Sequence, residues 1–134
     1  MEEKTRAQLA CEKGAQVEQT YGGCGQCVLY ALIESGLEIS KDVFRAASGM
    51  AAGVGRQGET CGAVSGAILA ISALNGRQFE NIDQTAERNK TFNLCYRFID
   101  KFKAEYGSIQ CKDIQDKETS DVARKLHRLF FFYV

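Results

Sequence analysis

Two short stretches, Tyr21-Gly-Gly-Cys24-Gly-Gln-Cys27 and Gly58-Glu-Thr-Cys61-Gly-Ala-Val-Ser-Gly66, set three cysteines among glycines. Cys11, Cys95 and Cys111 complete a set of six in 134 residues. The chain has one histidine, no tryptophan and no proline, which leaves imidazole-based acid–base or metal chemistry almost nothing to work with. Sulfur is the only concentrated reactive element. A thiolate is both a nucleophile and a ligand for soft metals. The residue types therefore point to thiol–disulfide exchange, electron transfer or thiolate ligation.

Cys24-x-x-Cys27 follows a Gly-Gly pair and opens a helical pattern. A helix start supplies unpaired backbone amides and the positive end of the helix dipole, and both favour thiolate over thiol. Glycines at 22, 23 and 25 leave room for another segment, a cluster or a substrate to reach the sulfurs. Cys27 has a second reading, as a small apolar residue in the core helix Cys-Val-Leu-Tyr-Ala-Leu. Cys61 repeats the arrangement after a glycine-rich loop. Gly62 and Gly66, four apart, make a smooth strip on one helix face, suited to close helix packing or to space beside Cys61.

Gly53-Val-Gly-Arg-Gln-Gly58 has the letters of a dinucleotide-binding loop, but neither the preceding strand nor the βαβ unit it requires is present. Arg56 in that loop is a candidate cation near the sulfurs, and Gly58 and Gly62, beside Cys61, are candidates for contact with a cofactor. Cys111 follows the turn Tyr106-Gly107-Ser108 and is a candidate fourth sulfur. Cys95 lies among Leu94, Phe98 and Phe102 and reads as core, Cys11 has no assignment, and His127 reads as a solvated helical residue. No Cys-x-x-Cys-His supports covalent haem attachment.

The elements that must position these residues are helices. Expected segments run from Glu2 to Tyr21, ended by Gly22-Gly23, and from Cys27 to Ile33, stopped by Gly36. Ser40 is suited to cap a short helix carrying Val43, Phe44 and Ala47. After the irregular stretch Gly49–Gly58, Thr60 can cap a central helix from Cys61 or Gly62 to about Leu74, closed by Asn75-Gly76. Phe92, Phe98, Ile99 and Phe102 mark an amphipathic helix over Thr85–Tyr106, terminated by Gly107, with a short turn at Cys111 beyond it. A last helix is expected from Thr119 toward Phe132, and the apolar tail Leu129–Val134 needs a docking place or a dimer contact. No run alternates as a strand would. The expected fold is one all-α domain over residues 1–134, a bundle of about five to six helices with a glycine-rich loop before the central one.

Composition narrows the function classes. With 45% hydrophobic and 25% charged residues, the chain reads as an ordinary globular protein that needs no disulfide staples. Seventeen basic residues balance seventeen acidic ones, so no positive field is offered to nucleic acid or an anionic membrane surface. Membrane insertion is not expected, because the longest apolar run is too short to span. The charged start Met1-Glu-Glu-Lys lacks the apolar core of a signal peptide, and reduced cysteines in a cytoplasm are expected. Zero net charge does little to oppose self-association, a hint of a homodimer.

Gly23-Cys24-x-Gln26-x-Val28-Leu29, then Ala47-Ser48-Gly49 through Gly58-Glu59-x-Cys61-Gly62-Ala63-x-x-Gly66, and finally Tyr106-Gly107-Ser108-x-x-Cys111 resemble the redox-active proteins named for their C_GCAxxG_C_C pattern. The resemblance runs from Tyr21 to Ile114. It implies a small, mostly helical protein of a kind common in anaerobic bacteria and archaea. In the related domain of split-Soret cytochromes, such cysteines accompany an iron–sulfur centre. The family's cysteines fall on Cys24, Cys61 and Cys111; its fourth, downstream, has no counterpart here, where Thr119-Ser120-Asp121 stands. Either Cys27 or Cys95 takes its place, or the site has three sulfurs.

Three functions follow as expectations. One is a thiol–disulfide or electron-transfer protein, an oxidoreductase in the broad sense, with Cys24, Cys61 and Cys27 or Cys111 reacting and an unknown redox partner. The second is a metalloprotein whose Cys24, Cys27, Cys61 and Cys111 hold an iron–sulfur cluster or another thiophilic metal. The third is a helical interaction module with packing cysteines.

Overall fold

The computed structural model describes residues 4–114. Among them the secondary structure is helical, with no strand beyond a single antiparallel bridge between Thr60 and Gln110. The all-α expectation holds. The expected last helix, His127 and the tail Leu129–Val134 lie outside the described residues.

Helix α1, Arg6–Tyr21, starts from a capping box in which Thr5 Oγ1 accepts from the Gln8 amide and Gln8 Oε1 accepts from the Thr5 amide, at 3.2 and 2.8 Å. Each satisfies an orphan donor of the first turn. Gly22 and Gly23, both at positive φ, turn the chain into α2, Cys24–Glu34. This helix begins three residues before the expected start at Cys27, so Cys24 is its first residue. Helix α3, Lys41–Ala46, is capped by Ser40, whose hydroxyl accepts from the Asp42 amide. A 3₁₀ turn, Ala47–Met50, leads into the glycine-rich loop.

Helix α4, Gly62–Asn75, is the centre of the molecule. Gly62, Ala63, Val64, Gly66, Ala67, Ala70 and Ile71 are all buried, the mark of a helix covered on several sides. It packs on α2, on the α3 segment and on α5, Thr85–Tyr106. Helix α5 runs antiparallel to α4, since Thr91 donates to the Asn75 carbonyl near one end while Ile109 accepts from the Cys61 amide near the other. Phe98, Phe102 and Tyr106 carry its buried face into the core with Leu29, Leu32 and Ile71. Gly107, at φ 77°, ends α5 as expected, and α6, Cys111–Ile114, follows.

Two expectations need correction. Thr60 does not cap α4: Cys61 occupies the cap position and Thr60 pairs with Gln110. Phe92 is not on the buried face of α5 but 63% exposed, because its position on the helix falls outside the strip covered by α4. Among the described residues, no helix is long and apolar enough to cross a membrane.

Candidate functional site

The Thr60–Gln110 bridge brings together the start of α4 and the start of α6. On either side of it, the Cys61 amide donates to the Ile109 carbonyl at 2.7 Å and the Cys111 amide to the Glu59 carbonyl at 2.6 Å. Residues next to a bridged pair point to the face opposite that pair. Cys61 and Cys111 therefore share one face of this short ribbon.

Cys24 arrives from α2. Its sulfur lies 3.1 Å from the place where a Cβ on Gly62 would stand, and the same Cβ would be 2.9 Å from the Met50 carbonyl oxygen. A side chain there would crowd the sulfur and clash with the Met50 backbone, and glycine leaves room for both. One turn further along, a Cβ on Gly66 would lie 2.6 Å from the Gly25 carbonyl oxygen. Of the two uses expected for the strip, close helix packing is seen at Gly66, which lets the backbones of α2 and α4 meet; the room at Gly62 is taken by the Cys24 sulfur rather than left beside Cys61.

The three sulfurs also act on one another electrostatically. Burial pushes the Cys61 thiol pKa up, the Val64 and Ala63 amides of the first α4 turn oppose that rise, and the neighbouring Cys24 and Cys111 sulfurs add to it. Burial prevails because it acts on the whole ionised group, whereas the helix start offers partial charges. The expectation of a depressed pKa at this helix start is corrected for Cys61. It is corrected for Cys27 as well, pushed up to about 12 by burial first and then by the Glu18 carboxylate. Cys27 donates from Sγ to the Gly22 carbonyl oxygen at 3.1 Å and is 3% exposed. Cys24 and Cys111 are partly exposed.

The remaining cysteines lie elsewhere. Cys95 is on α5, where burial raises its pKa and the Ser72 side chain opposes the rise, so it belongs to the α4–α5 contact. Cys11 is half-buried on α1. No disulfide joins any of the six.

The loop above the site has an unusual backbone. Ala52, Gly53, Val54, Gly55 and Arg56 follow one another at positive φ, between 54° and 73°. For the three residues with side chains, this conformation costs about 1–2 kcal/mol each. Hydrogen bonds across the loop hold it, Gly55 to Gly49 at 2.8 Å and Glu59 to Gly53 at 3.0 Å. The Gly58 carbonyl accepts from the Lys112 amide, tying the loop to the Cys111 segment. Arg56 is exposed, and the side chains that shift the Cys61 thiol are Cys24 and Cys111.

Sequence reasoning gave no role to Gln26 and Ser48. Gln26 Nε2 donates to Ser48 Oγ at 2.9 Å and to the Phe44 carbonyl at 3.2 Å, and Ser48 Oγ donates to the Arg45 carbonyl at 2.6 Å. This clamp fixes the 3₁₀ turn, and through it Met50, against the start of α2. The signal available was the glutamine two residues after Cys24, a polar side chain at the start of an apolar helix.

Among the described residues, no group of three or more His, Cys, Asp or Glu side chains is placed to hold a metal ion. The Cys27 thiol is committed to Gly22. The site thus holds Cys61, which is buried, with Cys24 and Cys111, which are partly exposed, beside it.

A family model described as "Putative redox-active protein (C_GCAxxG_C_C)" matches residues 23–128. Neither the curated proteins nor the solved structures include a match to the chain. The matched segment contains Cys24, Cys61, Cys111 and the glycines that seat them, and the chain belongs to the C_GCAxxG_C_C family.

Proposed function

We propose that this protein is a thiol–disulfide redox protein in which Cys61 is the shared partner of Cys24 and Cys111. The observation that carries the reading is the environment of Cys61, whose buried thiol has those two sulfurs as its acidic neighbours. Cys24 and Cys111 are the more exposed of the three and are the sulfurs an incoming partner meets first. Cys61, 8% exposed, resolves.

The chemistry balances as ordinary exchange. The thiolate of Cys24 or Cys111 attacks a disulfide of an oxidised partner, and one partner sulfur leaves as a thiolate. Cys61, losing its proton, then attacks the mixed disulfide and expels the second partner sulfur. The protein gains one disulfide as it gives up two electrons and two protons, and the partner becomes a dithiol. The amides of Ala63 and Val64 favour the transient Cys61 thiolate. Cys27, held as a thiol beside Gly22 and Glu18, supports the turn before Cys24 rather than reacting.

The test counts thiols in protein purified without oxygen and equilibrated with dithiol–disulfide buffers. Wild type loses two thiols in one step, Cys61→Ser loses none in that range, and Cys27→Ala behaves as wild type. Stoichiometric iron and sulfide with broad visible absorption would replace this reading with ligation by the same cysteines.

A further inference from the structure

Helix α5 presents to solvent a row of four residues spaced four apart, Arg88, Phe92, Tyr96 and Asp100. All four are exposed, Phe92 by 63% and Tyr96 by 73%. Two large aromatic rings on an open helix face are an unusual use of surface, since exposed apolar rows mark interaction sites. The order of chemistry along the row is cation, aromatic, aromatic, anion. Reversed end for end, that order is complementary to itself.

We infer that this row is an interface between two copies of the chain, with the two α5 helices antiparallel about a two-fold axis near Leu94. The positions then match by arithmetic: 92 + 96 and 88 + 100 both equal 188, twice 94. Phe92 faces Tyr96 of the partner subunit, and Arg88 faces Asp100 of the partner subunit. The axis repeats both contacts. Rows of residues four apart are the ridges that interlock when two helices cross at about −50°, so this spacing suits the packing. Arg88 lies over the Phe92 ring, 5.8 Å from its centroid, and its Nε and Nη2 donate to the adjacent Asn89 Oδ1 at 3.4 and 3.3 Å, an exposed local contact that pairing with Asp100 of the partner subunit would replace. Zero net charge leaves no overall repulsion to overcome.

A contact confined to one helix face is small beside the roughly 1,200–2,000 Å² of stable interfaces. The dimer is therefore weak and concentration-dependent. It leaves the three thiols unchanged, as α5 meets α4 through its other face.

Sedimentation equilibrium of the full chain, kept reduced so that no intermolecular disulfide contributes, tests the interface. Wild type is expected to dimerise at high concentration. Arg88→Glu and Asp100→Arg each place like charges together twice, and each is expected to weaken association about tenfold or more. Combining Arg88→Glu with Asp100→Arg restores opposite charges and is expected to return the dissociation constant to within about threefold of wild type. A wild type that stays monomeric, single reversals without effect, or a double variant no better than the singles would each overturn the inference.

Discussion

Helix α4 meets its two main neighbours by opposite means. Against the start of α2 the contact is backbone on backbone, with Gly66 on Gly25 and Gly62 under the Cys24 sulfur. Against α5 it involves a face of rings, Phe98, Phe102 and Tyr106, with Phe102 and Tyr106 centroids 4.7 Å apart. Aromatic residues contribute buried apolar area, the main source of stability. Glycines contribute almost no area and give proximity instead. Leu29 and Leu32 of α2 share the core with those rings, so the difference lies at the start of α4, where glycines rather than side-chain bulk set the distance between α2 and α4.

The largest effect should come from the aromatic side. Phe98→Ala empties a fully buried site and is expected to cost about 3–5 kcal/mol in chemical denaturation. Cysteine reactivity in the folded fraction should be unaltered. On the glycine side, Gly66→Ala drives a methyl group into the Gly25 carbonyl and is expected to cost about 1–3 kcal/mol. Because the α2–α4 separation sets the position of Cys24, this variant should also form its disulfide more slowly. A Gly66→Ala protein with wild-type stability would remove the distinction between the two contacts.

Gly62→Ala sharpens the comparison further. Its methyl group meets the Met50 carbonyl at 2.9 Å and the Cys24 sulfur at 3.1 Å, so the Met50 backbone must move and the sulfur must give by a few tenths of an ångström. We expect a stability loss of about 1 kcal/mol with a clear change in the rate of Cys24 alkylation, measured by mass spectrometry. The smallest effect concerns Cys27. Its folded pKa of about 12 lies above the 9.0 of a free thiol, so below pH 9 both folded and unfolded forms are protonated and the stability is fully present. As pH rises from 9 toward 12 the unfolded chain ionises first, and stability falls. Cys27→Ala should show a shallower loss over that window in denaturation midpoints.

Much of the scaffold was legible because its signals are local. Ser40, Gly107 and Asn75-Gly76 mark element ends by cap and turn chemistry that acts within a few residues. Close approach at Gly66 was legible too, since two glycines four apart must share a helix face. The Cys61–Cys111 neighbourhood rests instead on the Thr60–Gln110 bridge, a long-range pairing without a sequence pattern. The left-handed run was hidden for another reason. Its glycines are visible, but Ala52, Val54 and Arg56 adopt positive φ only because the loop's hydrogen bonds impose it. The helix-start argument erred for Cys61 and Cys27 because it weighed the dipole without the burial. Phe92 was counted with the apolar residues marking α5 because periodicity gives the direction of an apolar strip and not the width that a neighbour covers.

The central claim, that Cys61 is the common partner of Cys24 and Cys111, is tested most directly by disulfide mapping. Reduced protein would be oxidised stepwise, blocked in acid, digested and sequenced by mass spectrometry. The account expects the first disulfide to contain Cys61 in every molecule, joined to Cys24 or to Cys111. A first disulfide that leaves Cys61 as a thiol, or that uses Cys27, Cys95 or Cys11, would contradict it.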